Sequence, residues 1–349
     1  MRKRLIIVAA VVVALALVAA GLLWWRSQQG TDLERAAALA PPDAERLSWT
    51  DWAGVRRELG VSLDADSGTS QLRKFLDQGY DADLTSGSAL VQSAPVLQAK
   101  FGFSPASVDW ELFSQSPQGA VVILHLPEST DFGDLEANLT DLGFTRPSSD
   151  TGVWQGGDLL SSIGSDLTPE LQFIALDAER GLVLTSDEPT YLAQAVKDSD
   201  GGDGVADDLR QVIAASGDPL SAAVYSGAYT CEKLAMSQAD PGDQEQADQL
   251  LRDAGKVNPV TGFAMSVQPD RDVRVVLGFE NDDQARTNAD SRAALAAGPA
   301  PGQGGDFADR FSVRSVTADG SLVTMDLKPV EGAYVLSDLS NGPVLFATC

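Results

Sequence analysis

Histidine and cysteine are almost missing from this 349-residue chain, which holds one His and two Cys. With a single imidazole, any Ser-His-Asp or Cys-His nucleophile must use His125. One His and two distant Cys cannot supply the usual four N and S ligands of a structural zinc. There is also no S-x-x-K, no P-loop and no G-x-G-x-x-G ahead of a helix, so the common acyl-transfer and nucleotide signatures are absent. No cofactor, metal ligand or catalytic residue is assigned from the sequence.

Positive charge is the other scarcity. Lys and Arg number 25 against 50 Asp and Glu, a formal net charge of −25. Four of those cations (Arg2, Lys3, Arg4 and Arg26) lie among the first thirty residues, which contain no acid, so residues 31–349 carry 21 cations against 50 acids, or −29. Such a body repels phosphate backbones and anionic headgroups, and a nucleic-acid partner is excluded on that ground. After residue 4 there is no basic cluster of the kind that holds anionic lipid.

What the chain does have begins at its N-terminus. Leu5 to Trp25 is a 21-residue run without charge, long enough as a helix to cross roughly 31 Å of hydrocarbon at about 1.5 Å per residue. Arg2, Lys3 and Arg4 precede it, so the positive-inside bias keeps that end cytoplasmic and puts the rest of the chain outside. Trp24 and Trp25 suit the outer interface. The competing reading is a cleaved signal peptide with a processing site at Ala19-Ala20-Gly21; against it, the apolar run continues through Leu22, Leu23 and both tryptophans. The expectation is a single-pass anchor in the cell membrane. Both cysteines then face an oxidising space, and a Cys231–Cys349 disulfide is expected. It would tie the last residue to a point 118 positions earlier, worth up to about 4 to 5 kcal/mol on loop entropy. No C-x-x-C spacing supports a redox-active pair.

The predicted organisation is an anchor and flanks (1–30), a juxtamembrane stalk (31–44) ending in Pro41-Pro42, and two α+β units (45–200 and 201–349). In the first unit a short strand at Leu47–Trp49 leads to a helix capped by Asp51. Ala120–Leu126 is a near-continuous apolar run that suits a strand buried on both faces. His125 lies in that strand, where a hydrogen-bonded core role is expected ahead of a catalytic one. A helix with Leu135 and Leu139 follows, then a hairpin (Leu171–Leu176 with Leu182–Thr185) and a helix opened by Pro189.

Asp198–Gly204 reads as the linker between the units, and its aspartates as solvated charge, since their spacing misses the EF-hand. The second unit repeats the order of strand, helix, strand pair and helix, and ends in a hairpin turning at Asp319-Gly320 and a last strand Pro343–Ala347. Leu182-Val183 followed by Glu188, Tyr191, Leu192 and Val196 matches Leu322-Val323 followed by Glu331, Tyr334, Val335 and Leu339, which suggests a duplicated unit. Chance similarity of amphipathic segments is the alternative.

Gly102-Phe103-Ser104-Pro105-Ala106 is a poor nucleophile elbow; Ser104 instead suits the cap of a helix opened by Pro105 and carrying Val108, Trp110, Leu112 and Phe113. The basic tip, the single span, the Ala/Gly/Asp-rich acidic body and the segment RLSWTDWAGVRRELG (residues 46–60) together resemble the uncharacterised single-pass envelope proteins of high-GC actinobacteria. That resemblance implies location and carries over no functional residue. The expected function is a noncatalytic accessory or interaction module that contacts an envelope protein or a small ligand; the alternative is an exported hydrolase working with carboxylates.

Overall fold

The computed structural model describes residues 30–349 apart from 158, 160–162 and 165. The apolar run Leu5–Trp25 lies outside the described residues, among which no helix is long and apolar enough to cross a membrane. The fold is α+β: eleven strands, every neighbouring pair antiparallel, form one sheet with helices on both faces.

In chain order the elements are α1 (Asp32–Ala37), β1 (Arg46–Thr50), α2 (Trp52–Glu58), α3 (Thr69–Asp81), β2 (Trp110–Ser116), β3 (Gly119–His125), α4 (Phe132–Asp141), β4 (Val153–Gln155), β5 (Phe173–Asp177), β6 (Leu182–Ser186) and α5 (Pro189–Gly201). The second series is α6 (Asp207–Ala215), β7 (Ser221–Ser226), α7 (Pro241–Ala254), β8 (Gly262–Val267), β9 (Val273–Gly278), α8 (Asp282–Ala296), β10 (Phe311–Asp319), β11 (Leu322–Pro329) and α9 (Val335–Leu339).

The strand order is β10-β11-β9-β8-β7-β1-β2-β3-β6-β5-β4. It reads almost the same outward from the central pair, where Ser48 faces Ala223. The two predicted units therefore share a single sheet. Strand alternation sends Leu112, Val121 and Ile123 to a core beneath α1, α5 and α6, and Val122, Leu124 and Val183 to a larger core beneath α2, α3, α4, α8 and α9. Both faces are covered, which is why β3 reads as one apolar run.

Four expectations change. The stalk is not one: Thr31 and Glu34 form a capping box, and Leu33 and Ala36 are fully buried, so α1 is part of the body. The Asp198–Gly204 linker is mostly helix, since α5 runs to Gly201 and stops at Gly202 in the left-handed conformation. Trp110 to Phe113 is strand and not helix; pairing between β1 and β3 overrides the helical spacing, and Ser104 caps only a turn by accepting from the Ala106 N–H. The last predicted strand is a 3-10 turn, Leu345–Ala347, because the buried Arg292 takes the Phe346 carbonyl at 3.0 Å that a sheet partner would need. Cys231 and Cys349 are disulfide-bonded as expected.

The matched segments around β6 and β11 hold equivalent places: Val183 and Val323 enter the larger core, while Leu182 and Leu322 face the smaller one. The helices after them part company. α5 packs Leu192 and Ala195 into the smaller core, and α9 packs Leu336 and Leu339 into the larger. The strands explain the difference. β6 offers Leu182 and Leu184 to α5, whereas by alternation β11 offers Thr324, Asp326 and Lys328, a surface no apolar helix face can dry.

α9 is fixed by a residue of the other half. Asp83, held at φ 59°, accepts from the Leu336 N–H at 2.7 Å and the Ser337 N–H at 3.0 Å. Burial raises its pKa to about 7 from the ordinary 3.8, against the lowering effect of those two bonds. The raised value has a signed consequence. Below about pH 4 folded and unfolded chains both hold the proton, whereas between about pH 4 and 7 only the folded chain does, so stability falls as pH rises, by on the order of 4 kcal/mol from this group, and levels off above. Asp51 and Glu111 are shifted in the same direction by burial and add to the slope. Asp83→Asn, which tolerates the left-handed backbone, should remove the Asp83 share; urea midpoints measured across this range that fall as steeply in the variant as in the wild type would refute the assignment.

Candidate functional site

At one end of the sheet, where β1, β2, β3 and β6 finish beside α1, a cleft of about 500 Å³ opens. Its floor is aromatic. The Trp110 and His125 rings face each other across the β2–β3 pair, stacked at 5.4 Å between centroids and 15° between planes. His125 Nδ1 lies 3.1 Å from Asp109 Oδ2. Backbone bonds hold this pair: the Asp109 N–H donates to the His125 carbonyl, and the Ala53 N–H donates to the Asp109 carbonyl, both at 2.8 Å. The sole histidine is thus not the core residue expected from the apolar strand. It is the last residue of β3, its side chain about one-third exposed in a cleft. Alternation and strand end decide this together: its face is shared with Val121 and Ile123, but it lies beyond the cover of α1 and α5.

Charged side chains ring the floor. Asp51, which follows β1 and caps α2, accepts from the Gly54 N–H at 2.7 Å, and Arg57 approaches its other oxygen at 3.5 Å. Burial raises the Asp51 pKa, opposed by the Gly54 bond and by Arg57. Arg35 of α1 pairs with Asp32 and donates to the Gly30 carbonyl at 2.8 Å. Arg180, in the β5–β6 turn, is fully engaged by Asp177, by the Ser199 carbonyl at 2.9 Å and by Asp200 at 2.7 Å. Leu39, Ala53 and Leu182 complete an apolar wall. The indole N–H of Trp110 has no hydrogen-bond partner among the described residues.

The corresponding place in the other half is closed. Leu182 faces His125, which faces Trp110; Leu322 faces Gly278, which faces Gly262. Two glycines therefore stand where the rings stand. Val212 of α6 lies on them: a Cβ added at either would come within 3.4 Å of its methyls, and at Gly278 within 2.8 Å of Thr261 Oγ1. The caps beside these positions also correspond, Asp51 accepting from the Gly54 N–H and Ser226 from the Tyr229 N–H, each three residues on.

Of the other residues singled out in the sequence, Ser104 is fully buried and no nucleophile, and Asp198 and Asp200 are occupied by Gln194 and Arg180. Sequence reasoning missed Asp109, Trp110, Asp51 and the arginines. One signal was available: Asp-Trp occurs at both 51–52 and 109–110, each time where a turn adjoins a strand end.

No protein-family model matches the chain, and no curated protein is similar to it. Among solved structures, crystal form I of TP0453 aligns over 87% of this chain and 95% of that one at 7% identity with a TM-score of 0.38. Crystal form III of TP0453 aligns over 87% and 96% at 7% identity with a TM-score of 0.39. Scores this low establish neither a family nor an activity.

The contrast between the halves is open to measurement. His125→Gly should cost about 1 to 2 kcal/mol, the loss of one exposed hydrogen bond plus glycine in a strand. Gly278→His should cost about 3 kcal/mol or more by overpacking against Val212 and Thr261. Equal losses in urea denaturation would contradict an open first site and a sealed second.

Proposed function

We propose that the chain is a single-pass, membrane-anchored extracytoplasmic binding module, of the kind its sequence resembles among actinobacterial envelope proteins. In this reading its body arose by duplication of one α+β unit, and the first copy kept or gained a ligand cleft. The single observation that supports it is the exchange at equivalent strand positions: Trp110 and His125 floor an open cleft, while Gly262 and Gly278 are covered by Val212. His125, its side chain about one-third exposed on the edge of the buried Trp110 ring, lacks the helix cover that the glycines of the other half retain, so its presence is compatible with a ligand that completes the packing.

A second reading, an exported hydrolase, draws on the Asp109–His125 pair. A carboxylate at Nδ1 orients the ring and leaves Nε2 for a proton transfer. The described residues lining the cleft include no Ser, Thr or Cys, so such an enzyme would have to activate water directly. Binding is therefore favoured over turnover.

Ala53 lines the cleft from the first turn of α2, and Ala53→Trp should fill the space without entering either core. In a ligand-observed NMR screen of small fragments against the full chain, hits that bind the wild type should disappear with Ala53→Trp; hits retained at equal strength would remove the cleft from the function. Placement is tested separately. Protease added to intact cells should digest the acidic body, and complete protection until lysis would overturn an outside location.

A further inference from the structure

We propose that the cleft's ligand is a monocarboxylate carried on an apolar body. The inference rests on the binding reading above and assigns the ligand its chemistry. Each of the three carboxylates that line it already faces a donor: Asp32 has Arg35, Asp51 has the Gly54 N–H and Arg57, and Asp109 has His125.

The donors are not used up in the same way. The Trp110 indole N–H is without a partner among the described residues. Arg57 has a 72% exposed side chain and only the 3.5 Å approach to Asp51, longer than a good hydrogen bond, so most of its fork is free. Arg35 spends donors on Asp32 and the Gly30 carbonyl and keeps others. Arg180 offers nothing, being spent on Asp177, Ser199 and Asp200. Arg57 and Arg35 therefore keep free guanidinium N–H groups at the cleft, and a guanidinium fork matches the two oxygens of a carboxylate.

Charge narrows the class further. Three arginines against three aspartates give the cleft a formal charge of zero, inside a body of −29. The neutral cleft gives no net repulsion of its own, but the acidic body around it repels each negative charge on a ligand, and a phosphate dianion meets about twice the repulsion that a carboxylate meets. The remainder of the lining, Leu39, Ala53, Leu182 and the Trp110 ring, provides apolar surface for the part of the ligand that is not charged.

The test compares three probes of nearly one shape, naphthoate, naphthamide and naphthyl phosphate, by calorimetric titration into the full chain in detergent. Naphthoate should bind, with naphthamide and naphthyl phosphate each about tenfold weaker or worse, and Arg57→Gln should lower naphthoate affinity about tenfold while the melting temperature stays put. Naphthamide binding as well as naphthoate, the phosphate binding more tightly, an Arg57→Gln chain of undiminished affinity, or no naphthoate binding at millimolar concentration would each overturn the assignment. If fragment hits still vanish with Ala53→Trp in those cases, the carboxylate falls and the binding cleft stands; if they persist, both fall.

Discussion

The rest of the structure depends on the antiparallel pairing of β1 with β7. These short strands lie at the centre of the sheet, and everything on either side is built outward from them in matching order. On one face of the junction, beside the Arg46–Tyr225 pair, four neighbouring side chains are small: Ser48, Thr50, Ser221 and Ala223, all buried. Small residues let the cover approach closely, and a Cβ on Gly87 would lie within 3.6 Å of Ser48. A larger side chain on this face of the junction would lift that cover away from both halves at once.

That cover is held by buried ionisable groups that have no ion pair among the described residues. Glu111, 1% exposed, accepts from the Trp52 indole at 2.9 Å, Ser88 Oγ at 2.7 Å and the Ala89 N–H at 2.6 Å, so the segment over the junction hangs on one carboxylate. Asp83, a few residues earlier, reaches α9 in the second half. Arg292 works in the same way on the C-terminal segment beside the disulfide, and burial lowers its pKa to about 9. In each case one desolvated group satisfies several backbone partners of an irregular segment, which a sheet or helix ladder cannot do.

The elements legible in the sequence were those whose period is set by burial alone. β3, α4, the β5–β6 hairpin and α5 follow their apolar pattern, and the α+β class follows from their alternation with strand pairs. β2 was misread because Trp110, Leu112 and Phe113 satisfy helix spacing too, and pairing on both sides decided the matter. The stalk was misread because alanines that look like spacer are core when a helix lies flat on a sheet, as Ala36 and Ala37 do. The cleft was illegible for a related reason. Whether His125 is covered depends on where α1 ends, and no period in β3 carries that information.

Because the strand order reads almost the same outward from the β1–β7 pair, the cleft is a matter of what fills one of two corresponding positions. In the second half, Val212 of a nine-residue helix lies on two glycines, so helix and sheet close at backbone distance. In the first half the helix is six residues long and brings alanines, while the sheet brings two rings. Compared with the second half, volume sits on the sheet and not on the helix, and the helix is too short to cover the end, which leaves room above the rings. A merely repacked core would be expected to restore contact at such a position. Instead the vacated end is bordered by Asp51, Asp109, Arg35 and Arg57, groups that a dry core would exclude and an aqueous recognition site can use.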